Sequence, residues 1–178
     1  MTTDEHLSAD KLEQGVDHIL ASPSDVGQLK LIVRRPDVDQ RETPEEGHLD
    51  TEQGLVGDSW VTRQNADPEM QLNIMNARAI GLVAQTMERW PLAGDQLYLD
   101  MDLSDDNLPP GTQLALGDAI IEVTEPPHTG CKKFAARFGV DAMLFVNSGR
   151  GKKLNFSGIN AKVVQSGDIK VGDVAQKL

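Results

Sequence analysis

The sequence predicts a mostly β fold of the α+β class: a β-barrel or strongly bent sheet with a few peripheral helices and an extra N-terminal helix. Three observations carry this. Short runs rich in Leu, Ile and Val recur along the chain and are separated by Gly-containing turns, the pattern of a closed antiparallel sheet. Two of those turns are Gly-Asp pairs between apolar runs, at 117–118 and 172–173. Helical periodicity is confined to a few stretches and never alternates strictly with strands, which argues against a doubly wound sheet. Two units follow: a helical extension over residues 1–27 and a barrel domain over 28–178.

Each element has its own signal. In the extension, Ser8 can cap a helix that places Leu12, Val16, Ile19 and Leu20 on one face, and Ser22-Pro23 ends it. Residues 28–35 read as a strand stopped by Pro36. Residues 36–53 are acidic and polar and are expected to form a long solvated loop. Gly54 to Asp58 (GLVGD) reads as a tight turn, and 71–75 as a strand. Asn76 can cap a helix over 77–90, with Ile80, Val83, Ala84, Met87 and Trp90 on its apolar face and Pro91 just beyond. A strand is expected at 96–99. Residues 113–116 and 119–124 flank Gly117-Asp118 as a hairpin. A further helix starts near Cys131, where Phe134 and Phe138 are one turn apart and Gly139 can stop it. Runs at 161–165, 168–171 and 174–177 complete the chain. The segments GTQLALGD and SGDIKVGD are alike, so a second hairpin is expected at the end.

Composition bounds the function. The 178 residues suit one ordinary domain, and 39% hydrophobic with 25% charged residues excludes wholesale disorder. A net charge of −11 argues against a general binder of nucleic acid or anionic membrane. No apolar run approaches the length of a membrane span. The acidic N-terminus does not read as a secretory signal. Cys131 is the only cysteine, so no internal disulfide forms; a reducing, cytoplasmic location is expected.

The charge is segregated. Residues 126–167 hold Lys132, Lys133, Arg137, Arg150, Lys152, Lys153 and Lys162 against the single acid Asp141, a net +6. Residues 1–125 carry −17 and residues 168–178 balance to zero. One reading is a solvated basic face. The other is a small anion site for phosphate, sulfate or a pterin phosphate. Cys131 lies inside this stretch, at the start of a helix, beside two lysines and three residues after His128. That setting favours a thiolate, which can attack, carry sulfur or ligate a soft metal. An inert cysteine is the alternative. His128 can accept a proton or orient an oxo group, or can simply be a turn residue.

Other constellations carry less. Asp105-Asp106 and Glu45-Glu46 read as solvated loop acids. Asp58 and Asp118 read as turn residues, with Asp58 also a candidate to face the pocket. Trp60 and Trp90 read as packing. Gly149-Arg150-Gly151 lacks the rest of a P-loop. Ser148 and Ser157 have no adjacent base.

The order GLVGD (54–58), GDQL (94–97), LPPGTQLALGDAIIEVTEPPHTGCKKF (108–134), GRG (149–151) and VVQSGDIKVGD (163–173) resembles the MOSC family. That domain ends molybdenum-cofactor sulfurases and also occurs as small stand-alone bacterial proteins. The resemblance covers roughly residues 28–175. It implies a MOSC-type β-barrel that binds molybdenum cofactor (molybdopterin), a pterin dithiolene bearing a phosphate. It implies that Cys131 is the functional cysteine, either a metal ligand or the holder of a persulfide. Lys132, Lys133, Arg137, Arg150 and Lys152 are then candidates for the pterin phosphate or oxo groups, and Asp58 and Arg63 for the pocket. Two activities follow as expectations: an oxidoreductase acting on N-hydroxylated or N-oxide compounds, or a sulfur carrier. A small-molecule substrate and an electron-donor or sulfur-donor protein would be the partners. A non-catalytic cofactor-binding module is the third reading. The chain departs from the family pattern where Asp95-Gln96-Leu97 replaces Glu-Asn-Leu, where only Arg63 follows the Gly57-Asp58 turn, and where Asn155-Phe156-Ser157 replaces basic residues.

Overall fold

The structure, a computed structural model, describes residues 6–178; the first five residues of the expected extension lie outside the described residues. Ser8 caps α1 (Ala9–Gln14) by accepting from the Lys11 N–H. Gly15 then breaks the expected single helix, and α2 (Val16–Leu20) follows. Any side chain at Gly15 would collide with Leu82. Leu12, Val16 and Ile19 are buried as expected, whereas Leu20 is exposed.

The strands are β1 (Val26–Ile32), β2 (Glu46–Asp50), β3 (Gly54–Leu55), β4 (Leu72–Asn76), β5 (Leu97–Asp100), β6 (Gln113–Leu116), β7 (Ala119–Pro127), β8 (Ile159–Gln165), β9 (Gly167–Lys170) and β10 (Val174–Lys177). Seven close into a barrel in the order β1-β10-β6-β7-β8-β4-β5, and β3-β2-β9 form a small second sheet. Every barrel pair is antiparallel except β4–β5. A parallel pair needs a crossover. Here it is α3 (Ala77–Ala84) followed by the 3-10 segment Met87–Ala93.

Side-chain alternation builds two cores. Ile74, Leu97 and Leu99 point into the barrel with Leu29, Ile121 and Ala161. Their neighbours Met75 and Tyr98 point outward against Leu12, Ile80, Phe134 and Phe138, as the two-residue period of a strand requires. Each such aliphatic or aromatic side chain contributes roughly 1.5–3 kcal/mol on burial. On the outer side, Asn76 caps α3 as expected, accepting from the Arg78 and Ala79 N–H groups. Its amide also donates to Ser22 Oγ and the Met101 carbonyl, tying the N-terminal helices to the barrel.

Four expectations are corrected. The solvated loop at 36–53 contains β2, which is exposed and acidic because it is the centre of a small surface sheet. The final Gly-Asp turn does not make a hairpin: β9 pairs with β2, and β10 inserts between β1 and β6. The helix expected over 77–90 stops at Ala84, because Gln85 adopts φ 68° and the chain tightens into a 3-10 segment that contains Pro91. The first strand ends at Ile32, so Arg35 leaves the sheet.

The helix at Cys131 is present. Cys131 is the N-cap residue of α4 (Lys132–Phe138), and Gly139 ends it at φ 98°. Two further helices, α5 (Val140–Asn147) and α6 (Gly149–Lys153), follow it. Among the described residues no helix is long and apolar enough to cross a membrane.

One irregularity positions the site. On β7 and β8 the pairs Val123–Ala161 and Pro127–Ile159 are in register, so three residues of β7 oppose the single residue Asn160. The wall of the barrel bulges there, beside the Pro126-Pro127 exit that leads to Cys131.

Candidate functional site

The turn between β7 and α4 is held at three points. Ser157 Oγ donates to the His128 carbonyl, and His128 Nδ1 bonds the Ser157 carbonyl. Asn147, at the end of α5, clamps Gly130 from both sides: its Oδ1 accepts from the Gly130 N–H and its Nδ2 donates to the Gly130 carbonyl, both at 2.9 Å. Cys131 comes next, exposed, with extended backbone. The thiol therefore sits on a fixed turn at a helix start. Lys132 and Lys133 follow it, both exposed and without an ion pair among the described residues.

His128 faces inward. A carbonyl only accepts, so the bond to Ser157 places the proton on Nδ1. Nε2 lies 3.6 Å from Oδ1 of Asp95, a residue whose side chain is 2% exposed. Asp95 Oδ1 has no hydrogen-bond partner among the described residues. Burial pushes the Asp95 carboxyl up, with His128 and Arg35 opposing. Gly158 closes the cradle at φ 106°; a Cβ there would lie 2.4 Å from the Ile74 carbonyl oxygen and 3.2 Å from both Asp95 Oδ1 and His128 Nδ1.

Behind this cradle runs a polar chain. Asp58 is buried and accepts from Arg35 Nε at 2.9 Å, Arg35 Nη2 at 2.8 Å, the Arg35 and Trp60 backbone N–H groups and Gln96 Nε2. Burial works against its charge, but the Arg35 guanidinium outweighs this and holds the carboxyl below its ordinary value. Arg35 Nη1 continues to Asn73 Oδ1 and the Gly94 carbonyl. Asn73 donates to Asn160, and Asn160 donates to the Pro126 carbonyl. Gln96 also accepts from the Asn73 N–H. The chain thus links Asp58 to the bulged wall between β7 and β8.

That wall borders a groove of about 760 Å³. Pro126, Pro127, His128 and Thr129 form one side, and Lys152, Lys153 and Asn155 face them. Cys131 lies two residues past Thr129, beyond the groove lining.

The cations singled out by sequence do not share one pocket. Lys152 lines the groove, as does Lys153, which is 3.9 Å from Asp106. Arg150 bonds Glu13 of α1 at 2.6 Å. Arg137 donates to the Leu92 carbonyl at 2.6 Å. Arg63 is exposed and ends the 3-10 turn Ser59–Thr62. Lys162 pairs with Glu69 and Glu122 on the barrel surface. Asp58 is buried behind the cradle, its carboxylate fully occupied. Sequence reasoning missed Arg35, Asn73, Asp95, Gln96, Asn147 and Asn160. Their contacts span 17 to 87 positions of sequence, and only the departure at Asp95-Gln96 marked any of them. Among the described residues no group of three or more His, Cys, Asp or Glu is placed to hold a metal ion.

Comparison with known proteins gives a family and a fold. The family model described as the MOSC domain matches residues 62–176. No curated protein matches the chain. Among solved structures the chain is similar to YiiM from Escherichia coli, at 20% identity over 85% of this chain and 69% of that one, with a TM-score of 0.54. It is also similar to the YUAD protein from Bacillus subtilis, at 14% identity over 84% and 94%, with a TM-score of 0.57. YiiM from Geobacillus stearothermophilus matches at 15% identity over 85% and 75%, with a TM-score of 0.57. At these identities the likeness is one of fold.

Proposed function

Because the chain belongs to the MOSC domain family, we propose that it binds molybdenum cofactor through Cys131 and reduces N-hydroxylated or N-oxide compounds. The observation that carries this reading is the Cys131 thiol itself, exposed on a turn clamped by Asn147 and followed by two exposed lysines. The donor set fits such a group. One soft sulfur ligand suits molybdenum, and the cofactor's dithiolene would supply further sulfur donors. The groove beside the turn has room for a small substrate.

When bound, the cofactor supplies the redox chemistry that cleaves an N–O bond. Each turnover consumes two electrons and two protons and releases water, with the electrons from a donor protein. The chain's own residues do the rest. Asn147 and Ser157 fix the turn that aims Cys131. Lys132 and Lys133 balance negative charge beside the Cys131 sulfur, and Lys152 carries positive charge to the groove. His128 acts as a positioning residue: it holds a proton at Nδ1 against the Ser157 carbonyl and turns Nε2 toward Asp95 rather than toward the groove.

A second reading is favoured by the place of Cys131 outside the groove lining. An exposed persulfide there is open to a partner protein, as a sulfur carrier needs. Anaerobically purified wild type and Cys131→Ser separate the two. Molybdenum and pterin at one per chain, lost in the variant, supports the first. Metal-free protein with cyanide-releasable sulfur supports the second. Neither metal nor labile sulfur in the wild type sinks both and leaves a non-catalytic module.

A further inference from the structure

Three arginines from three distant parts of the chain meet at one carbonyl end. Arg41 Nε donates to the Pro91 carbonyl, Arg137 Nη1 to Leu92 and Arg35 Nη1 to Gly94. These carbonyls close the 3-10 segment Met87–Ala93, where cations are favoured. Capping alone does not account for the arrangement. Arg35 is neutralised by Asp58 at 2.8 Å, and its donors are taken up by Asp58, Asn73 and Gly94. Arg41 and Arg137 are not so served.

Arg41 is half-buried and has no carboxylate within ion-pair distance among the described residues. Its hydrogen bonds, to Pro91 and Gln40, use two of a guanidinium's five N–H donors. Arg137 uses one, on Leu92. Its only counter-charge among the described residues is Asp39, 3.7 Å from Nη2 and 74% exposed. Burial and the neighbouring Arg137 and Arg35 charges together lower the Arg41 value. Two like charges held on adjacent carbonyls, with donors to spare and one loosely placed acid, form a cradle for an incoming anion. Paired guanidinium forks match a tetrahedral oxyanion.

We propose that Arg41 and Arg137 bind a phosphate monoester, or an equivalent dianionic oxyanion, and that Asp39 is the internal anion it displaces. Arg137 is six residues along α4 from Cys131, about 9 Å of helix rise. As the place for the cofactor's phosphate, the site rests on the reading above; as an oxyanion site it does not.

Calorimetric titration of full-length Cys131→Ser, the variant that carries no cofactor on the reading above, with inorganic phosphate at low salt, tests this. It is expected to bind one phosphate saturably. In that background Arg41→Gln and Arg137→Gln each weaken binding tenfold or more, and Asp39→Asn tightens it several-fold. Asp39 is exposed, so its variant folds whatever becomes of the arginine variants, and a gain in affinity is not a sign of damage. No saturable binding by the cofactor-free protein overturns the proposal, as does undiminished affinity when folded Arg41→Gln or Arg137→Gln is added. Unchanged or weaker binding in Asp39→Asn overturns the displacement. Phosphate binding by a wild type that retains neither molybdenum nor pterin keeps this site and rejects the cofactor reading.

Discussion

Oδ1 of Asp95 lies 3.6 Å from Nε2 of His128 and makes no hydrogen bond among the described residues. A buried acid in that position sets a pH dependence with a definite sign. Burial raises its carboxyl above the ordinary 3.8. The stability it contributes is fully present below the unfolded value and is lost as pH rises through the raised folded one. Asp95→Asn keeps a neutral side chain at every pH. Its Tm therefore gains on wild type as pH rises from about 4 through that value, then runs parallel. Thermal unfolding between about pH 4 and pH 8 checks this, and a constant gap contradicts it.

Asp58 has the opposite sign. Arg35 overcomes burial and holds its carboxyl below 3.8, so its contribution is present above the unfolded value and is lost as pH falls through the folded one. Asp58→Asn leaves Arg35 buried without its partner, at a cost of about 3–5 kcal/mol near neutrality. Urea unfolding should show that loss near pH 7 and a shrinking difference below about pH 4.

Gly158 and Gly94 both have positive φ, 106° and 91°, but differ in surroundings. A Cβ at Gly158 meets the Ile74 carbonyl at 2.4 Å, while one at Gly94 meets nothing within 4 Å. Gly158→Ala should cost about 3 kcal/mol or more, from backbone strain plus collision. Gly94→Ala should cost only about 1–2 kcal/mol. Equal losses in denaturant unfolding would remove the cradle argument.

Cys131→Ser should shift stability by no more than about 0.5 kcal/mol, because the side chain is exposed and caps nothing. Asn147→Ala removes both bonds to Gly130 and should cost about 1–3 kcal/mol. Measured together, the two separate the thiol's chemistry from the turn that carries it.

Local signals were legible in the sequence and distant ones were not. Ser8 and Asn76 cap as their side chains dictate, and Gly117-Asp118 turns a hairpin because both strands lie next to it. Gly172-Asp173 looks the same, yet β9 and β10 go to different sheets, a choice made by strands far away. β2 was hidden because its residues are exposed and acidic. At the site, the family motif pointed to Cys131 and its turn. Counting charge along residues 126–167 could not show that Arg150 turns to Glu13 and Arg137 to Leu92. A count fixes position in the chain, not direction in space. The Asp58–Arg35 pair, 23 positions apart, leaves no periodic trace at all.

The place of β10 between β1 and β6 has a consequence for how the protein is made. Val26 pairs with Gln176, and Leu116 with Ala175. Until β10 is in place, the first strand has one edge with no neighbour, and so does the sixth. The cylinder shuts only once residues 174–177 are in place, so closure of the barrel waits for this strand. Pairing strands as far apart in sequence as those of Val26 and Gln176 makes such closure slow, and during that interval two open strand edges are exposed to other chains.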